Sequence, residues 1–175
     1  MRIEPGGNGV VVRTCGEDET RRLAGRLAAA LSGGEVIGLR GDLGAGKTVF
    51  VQGLARGLGA REPATSPSFV IVHEHPGRLR LCHVDLYRLN PDQVEDLGLQ
   101  DLVAADTVVA IEWSERLPAR LRRAVSINIA IEFGKGESQR RLRIAAASGE
   151  AESLIERLER ALRDAEETAA EPPTP

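Results

Sequence analysis

Aromatic residues are scarce in this 175-residue chain, which has one tryptophan, one tyrosine and three phenylalanines. Proteins that hold single-stranded nucleic acid usually combine aromatic stacking surfaces with a positively charged groove. This chain has little of either, because its formal net charge is -3 and its sequence pI is about 5.7. The composition therefore argues against a protein that binds RNA on its own, and predicts that a partner would hold any RNA involved.

Long apolar runs and a cysteine framework are also missing. No segment approaches the roughly 20 apolar residues of a membrane span, and the N-terminal residues, with Arg2 and Glu4, do not resemble a signal peptide. The two cysteines, Cys15 and Cys82, lie too far apart for a metal motif or a disulfide framework, so we expect reduced thiols in the core. These features predict a cytoplasmic protein that does not associate with a membrane.

Hydrophobic periodicity predicts an α/β fold. Apolar runs indicate buried strands at residues 10–12, 36–39 and 107–111, and a period near 3.6 or helix-start signals indicate helices at 17–31, 47–58, 91–97 and 152–165. Two alternating pairs, 69–72 with 79–84 and 125–133 with 140–146, predict antiparallel hairpins. Strands that alternate with helices imply a three-layer fold around a mixed sheet. The acidic, proline-rich residues 166–175 are predicted to form a disordered tail.

The clearest motif is GDLGAGKT at residues 41–48, which matches the P-loop pattern GxxxxGK[ST] between a predicted strand and a predicted helix. Its glycines allow backbone N–H groups to converge on phosphates at the positive end of the helix. We expect Lys47 to reach the β and γ phosphates and the Thr48 hydroxyl to hold Mg2+. The candidate nucleotide-binding residues of this loop are Asp42, Leu43, Gly44, Ala45, Gly46, Lys47 and Thr48. The fold is therefore predicted to be P-loop NTPase-like, with ATP and Mg2+ as ligands and one P-loop ATPase domain over residues 1–165.

Two acidic residues follow predicted strands and are candidates for the catalytic chemistry. Asp85 ends the strand that contains His83, and Glu112 ends the strand before Trp113. A P-loop enzyme needs an acid that holds Mg2+ or positions water at the carboxyl ends of its strands. We assign Glu112 to Mg2+ and Asp85 to the attacking water, and no chemistry to His83.

Other positions are less determined by sequence. The loop at Thr65–Ser68 either senses the γ phosphate or forms an ordinary turn whose hydroxyls bond local backbone. Trp113 is either a core anchor or a neighbour of the nucleotide or of a partner. Arg140 reaches phosphates only if its hairpin folds back over the P-loop. His73 and His75 flank a predicted turn and are expected to be exposed.

Together these motifs resemble the tRNA threonylcarbamoyladenosine biosynthesis ATPase family, TsaE. The resemblance covers nearly the whole predicted fold and depends on Gly41–Thr48, Thr65–Phe69, His83–Arg88, Leu97–Gly98 and Ile111–Glu115. The first segment is generic to P-loop proteins, whereas the other four in this order are specific to the family.

The resemblance implies an ATPase that is weak alone and is required for threonylcarbamoyl transfer to adenosine 37 of tRNA. It implies docking on the TsaB–TsaD pair, with tRNA met only through these partners. It also implies that Lys47, Asp85 and Glu112 are catalytic, that Thr48 and Glu112 hold Mg2+, and that Glu17, Thr65, Asp85 and Arg140 lie near the nucleotide.

Other classes of P-loop protein remain alternatives. A small-molecule kinase would need an acceptor site and usually an arginine-rich lid, and the chain has no insertion of that size. A GTPase would need an NKxD-type segment, which is absent from the sequence. A nucleotide-gated binding module without turnover would share every motif, so only an assay with partners separates it from an ATPase.

Overall fold

The computed structural model describes residues 1–5, 9–61 and 71–170. Within these ranges the strands are β1 (Arg2–Pro5), β2 (Gly9–Thr14), β3 (Val36–Arg40), β4 (Val72–His75), β5 (Arg80–Asp85), β6 (Thr107–Glu112), β7 (Ile127–Phe133) and β8 (Arg140–Ala146). The α-helices are α1 (Glu17–Ala30), α2 (Lys47–Gly57), α3 (Pro91–Asp96), α4 (Ala119–Arg122) and α5 (Gly149–Ala170). Short 3-10 helices lie at Leu99–Leu102 and Ser114–Arg116.

The eight strands form a mixed sheet in the order β1-β2-β8-β7-β3-β6-β5-β4. Strand β3 is parallel to both of its neighbours, β6 and β7, and β5 is parallel to β6. The other neighbouring strands are antiparallel and include both hairpins expected from the sequence, β4–β5 and β7–β8. The strand that leads into the P-loop therefore lies inside the sheet and is hydrogen-bonded on both edges.

Two apolar layers cover the two faces of the sheet. Ile37 and Leu39 of β3 pack in the layer that contains the buried faces of α1, α2 and α5. Val36, on the alternate face of the same strand, packs with the side chains around α3 and the 3-10 helices. Because successive side chains of a strand point to opposite faces, one short apolar run contributes to both layers. The predicted three-layer α/β fold is confirmed.

Several predicted boundaries are wrong. Strand β1 was not expected, because Arg2–Pro5 has no apolar run and owes its pairing to β2. Strand β4 occupies Val72–His75, later than the predicted 69–72, and residues 69–70 lie outside the described residues. Helix α5 extends to Ala170, past the predicted end at residue 165 and into residues 166–170 of the predicted tail. Its alanines and glutamates favour helix, and residues 149–171 contain no proline. Residues 171–175 lie outside the described residues.

Burial corrects two further expectations. Cys15 is exposed in the loop before α1, whereas Cys82 is buried in β5 as expected, and burial raises the pKa of its thiol. His75 is buried rather than exposed, with its ring 4.4 Å from that of half-buried His73. Both histidines belong to β4, which is hydrogen-bonded to β5 in the sheet. In the described ranges, no helix has both the length and the apolar character needed to cross a membrane.

Candidate functional site

The glycine-rich loop connects β3 to α2 and depends on positive φ angles at three of its residues, including Gly44 at φ +77°. Gly41 has φ +145° and Gly46, the residue before α2, has φ +105°. A Cβ atom on Gly41 would also collide with the carbonyl oxygen of Ile131 in β7. Only glycine adopts these conformations without strain, so the loop can turn tightly and present the N-terminus of α2 to the space above it.

A cleft of about 770 Å³ lies over this loop, a volume typical of small-molecule sites. The predicted site residues that line it are Glu17, Leu43, Gly44, Gly46, Lys47, Thr48, Asp85, Glu112 and Arg140. Asp42 and Ala45 belong to the loop but do not line the cleft, and Thr65 lies outside the described residues. Three separate strand ends, from β3, β5 and β6, therefore converge with the start of α1 and the start of β8.

Lys47 is almost fully buried at the first turn of α2. Its ammonium group donates hydrogen bonds to the carbonyl oxygens of Gly41 (2.6 Å) and Asp42 (2.9 Å). The same Nζ lies 3.6 Å from the centre of the Trp113 ring, within range of a cation–π interaction. Burial lowers the pKa of Lys47, and the nearby carboxylates, Glu112 first, oppose that shift. The loop thus holds a desolvated positive charge beside the cleft.

Glu112 is also buried, with 3% of its surface exposed, and accepts hydrogen bonds from two different elements. The hydroxyl of Thr48 in α2 lies 2.9 Å from Glu112 Oε1 and 3.2 Å from Oε2. The Nε2 atom of His83 in β5 lies 2.8 Å from Oε1. The two residues predicted to hold Mg2+, Thr48 and Glu112, are therefore in direct contact.

Asp85 lies at the end of β5, directly across from Glu112 in the parallel register. Its carboxylate accepts a hydrogen bond from the backbone N–H of Tyr87 (2.9 Å), which orients one oxygen. Asp85 lines the cleft and is only half-buried. The two acids predicted from sequence are thus neighbours in the same cleft, where Glu112 is buried and Asp85 is half-buried.

Arg140 begins β8 and contacts the P-loop backbone. Its Nε donates to the carbonyl oxygen of Ala45 (3.0 Å) and its Nη2 to that of Gly44 (3.3 Å), while the guanidinium stacks 4.6 Å from the centre of the Phe133 ring. The hairpin β7–β8 does fold over the P-loop. The guanidinium, however, is bonded to carbonyl oxygens of the loop, so in this structure it fastens the loop to the hairpin.

The sequence did not determine the roles of two residues at the site, Trp113 and His83. Trp113 has φ +60°, a left-handed conformation that is unusual for a bulky side chain and that places its ring beside Lys47 and 4.8 Å from that of Tyr87. His83 was assigned no chemistry, yet it contacts Glu112. Strand alternation places residues 83 and 85 on one face of β5, and this signal becomes useful only once β6 is known to be the neighbour of β5.

The oxygen ligands at this site suit Mg2+. This ion prefers oxygen atoms and is usually bound by one or two protein groups together with phosphates and water. The hydroxyl of Thr48 and the carboxylate of Glu112 supply such a pair. Within the described ranges no three His, Cys, Asp or Glu side chains converge on a metal position.

A comparison with protein-family models matches residues 14–142 to the family described as "Threonylcarbamoyl adenosine biosynthesis protein TsaE". The matched range begins at the end of β2 and includes the P-loop, Asp85, Glu112 and Arg140. It therefore covers each predicted site residue, from Glu17 to Arg140.

Curated relatives and a solved structure agree with this match. The tRNA threonylcarbamoyladenosine biosynthesis protein TsaE of Bacillus subtilis is 38% identical over 85% of this chain and 92% of its own length. The protein of the same name from a Nostoc species is 43% identical over 67% of this chain and 75% of its own length. A crystal structure of Bacillus subtilis YdiB superposes with a TM-score of 0.69 and 32% identity, covering 92% of this chain and 98% of that one.

Proposed function

The chain belongs to the TsaE family of threonylcarbamoyl adenosine biosynthesis proteins, and on this premise we propose that it is a Mg2+-dependent ATPase that supports threonylcarbamoyl transfer to adenosine 37 of tRNA. On this proposal it works in the cytoplasm on the TsaB–TsaD pair and meets tRNA only through these partners. The names of its relatives support the tRNA modification, and the cleft supports the ATPase.

The observation that carries the ATPase proposal is the contact between Thr48 and Glu112. The hydroxyl that follows the P-loop lysine lies 2.9 Å from a buried carboxylate at the end of the adjacent parallel strand. In P-loop NTPases the same two kinds of group hold Mg2+ beside the β and γ phosphates. A burial of this kind is costly for a carboxylate unless a charge or a metal compensates it. The pair is therefore built for a cationic ligand.

The proposed roles of the other residues follow from their positions. Mg2+ would neutralise charge on the phosphates, and Lys47 would add a second positive charge at the β and γ positions. The backbone N–H groups of Gly44 and Gly46 would bind phosphate oxygens at the start of α2. Asp85, open to the cleft and held by the Tyr87 N–H, would accept a hydrogen bond from the attacking water. Positioning and electrostatic stabilisation together account for most catalysis of phosphoryl transfer.

Exposed apolar side chains around the cleft support a role for protein partners. Leu43, Ile71 and Tyr87 line the cleft and are 70%, 39% and 40% exposed, and Phe133, 51% exposed, packs beside Arg140. Apolar surface gathered around a site often marks a surface for another protein. A partner that covers it would also exclude water from the nucleotide, which strengthens the electrostatic interactions there.

The test is phosphate release by the purified chain, with and without the TsaB–TsaD pair, together with modified adenosine in tRNA measured by mass spectrometry. We expect slow hydrolysis by the chain alone and a several-fold increase with the pair. Multiple-turnover formation of threonylcarbamoyladenosine should require the chain and ATP. Modification that proceeds unchanged without the chain, or transfer of phosphate to a metabolite instead of water, would contradict the proposal.

A further inference from the structure

His83 is fully buried in β5 and touches the functional site only through Glu112. Its Nε2 lies 2.8 Å from Glu112 Oε1, and its Nδ1 has no hydrogen-bond partner among the described residues. A carboxylate can only accept, so the hydrogen between these two atoms belongs to His83 Nε2. Among the described residues, Glu112 Oε1 is therefore the single hydrogen-bond partner of this imidazole.

The strand register explains why these two side chains meet. His83 lies across from Ala110 in the parallel pair β5–β6, and Glu112 is two residues further along β6 on the same face. His83 approaches the carboxylate from the interior of the protein, and it does not line the cleft. Thr48 approaches from the other side, on the first turn of α2. Glu112 is thus clamped between a strand and a helix.

We propose that His83 is a positioning residue that fixes the carboxylate of Glu112 for Mg2+ binding. The inference rests on the proposed function, in which the Thr48 hydroxyl binds the ion through its oxygen and His83 is the donor that holds Glu112 from the interior of the protein. His83 holds Oε1 at 2.8 Å, whereas Oε2 has the longer contact of 3.2 Å with the hydroxyl of Thr48, which lines the cleft. Outer hydrogen-bond partners of metal ligands typically change metal affinity by about 10- to 100-fold when they are removed.

The test compares two variants of His83 whose side-chain amides differ in length. In His83→Gln the side-chain amide extends about as far as Nε2 and can still donate to Glu112, whereas in His83→Asn it reaches only to about the position of Nδ1. Calorimetry would give the dissociation constant of ATP in EDTA and in saturating Mg2+, and a Mg2+ titration at fixed ATP would give the half-saturating Mg2+ concentration. His75→Asn is the matched control, because His75 is a buried histidine in the adjacent strand, with its ring 6.4 Å from that of His83.

We expect His83→Asn to raise the half-saturating Mg2+ concentration about 10-fold or more while the affinity for ATP in EDTA is unchanged. His83→Gln should stay within about threefold of the parent chain, and His75→Asn should not differ from it. Equal Mg2+ dependence of the Asn and Gln variants would overturn the proposal. So would an equal loss of ATP affinity in EDTA, which would indicate a purely structural role.

Glu112→Gln, measured in the same titration, separates the two proposals. If Glu112→Gln shifts the Mg2+ dependence and His83→Asn does not, only the role of His83 fails. If neither variant shifts it, the Mg2+ site of the proposed function fails as well. Thermal unfolding of each variant shows whether it is folded, and a His83→Asn chain that does not fold is replaced by His83→Leu, which removes the donor at similar volume and should show the same Mg2+ shift.

Discussion

At the scale of single residues, Lys47 is a buried charge whose partners would change if nucleotide binds as proposed. Its ammonium now bonds to two carbonyl oxygens of its own loop and lies over the indole of Trp113. Burial disfavours the charged form of this lysine, whereas phosphate oxygens would favour it more strongly than carbonyls do. Binding of ATP is therefore expected to draw Lys47 away from the indole.

Lys47→Ala should weaken ATP binding by about 10- to 100-fold, because a hydrogen bond to a charged group contributes roughly 1.5–3 kcal/mol. Isothermal calorimetry measures the loss. Fluorescence of Trp113, the sole tryptophan of the chain, should change with ATP in the parent and much less in the variant. Lys135→Ala, in the exposed β7–β8 turn, is the control and should bind ATP normally. If Lys47→Ala binds ATP with unchanged affinity, the loop is not part of the nucleotide site.

Variants of the two carboxylates, Glu112 and Asp85, should respond differently in a Mg2+ titration of ATPase activity with the partners present. Glu112→Gln keeps the shape of a buried side chain but removes its charge, so the Mg2+ concentration for half-maximal activity should rise. Asp85→Asn should lower turnover at every Mg2+ concentration, because the amide is a much weaker acceptor for the proton of the attacking water. The reverse pattern would exchange the two roles.

At the scale of elements, the P-loop is attached to the hairpin β7–β8, which is distant from it in sequence. Arg140 joins the start of β8 to the carbonyls of Gly44 and Ala45, and the close approach of Gly41 to Ile131 brings the same loop against β7. The loop is therefore supported from both β3 and the hairpin β7–β8. Removing either support should loosen the backbone that binds phosphate.

Arg140→Ala should lower the free energy of unfolding by about 1–2 kcal/mol and weaken ATP binding, because hydrogen bonds to a charged group are lost from a half-buried position. Arg141→Ala is the matched control. Arg141 pairs with Glu132 on the exposed surface of the same hairpin, and such pairs contribute about 0–1 kcal/mol. Denaturant unfolding and calorimetry measure both quantities, and identical behaviour of the two variants would show that the contact to the loop is unimportant.

An element can be predicted from the sequence when interactions between residues close in sequence form it. The P-loop, β3, α1 and both hairpins were predicted because a motif or a period within a few residues specifies them. Strand β1 has no apolar run of its own and forms by pairing with β2, and His75 is buried through the tertiary packing of its face of the sheet, so hydrophobic periodicity indicates neither. The cleft residues Lys47, Thr48, Asp85 and Glu112 were found from sequence because each lies at a strand end or in the motif. The contact of His83 with Glu112 required the order of β5 and β6 in the sheet.

At the scale of the whole molecule, charge and composition bear on how the chain would meet tRNA. A net charge of -3 gives no general attraction to a polyanion. The exposed apolar side chains around the cleft, Leu43, Ile71, Tyr87 and Phe133, suit a protein surface better than a phosphate backbone. The proposed division of labour follows, in which partners hold the RNA and this chain supplies nucleotide hydrolysis.

Fluorescence anisotropy with labelled tRNA tests this division. The chain alone should show no salt-sensitive binding at physiological ionic strength, because its net charge of -3 leaves no excess of cations to displace the counterions of the RNA. The TsaB–TsaD pair serves as the positive control in the same buffer. Tight binding of tRNA by the isolated chain would favour an RNA-binding protein instead.

The position of β3 inside the sheet has a further consequence, which hydrogen exchange would reveal. Its residues Ile37 and Leu39 are fully buried, and its amides are covered by β6 on one side and β7 on the other. Amides of this kind exchange only through the largest opening motions of a protein. We therefore expect the loop that is proposed to bind phosphate to follow one of the slowest-exchanging strands of the sheet. Nucleotide should slow exchange in the loop after β3 and leave β3 itself, already protected, unchanged.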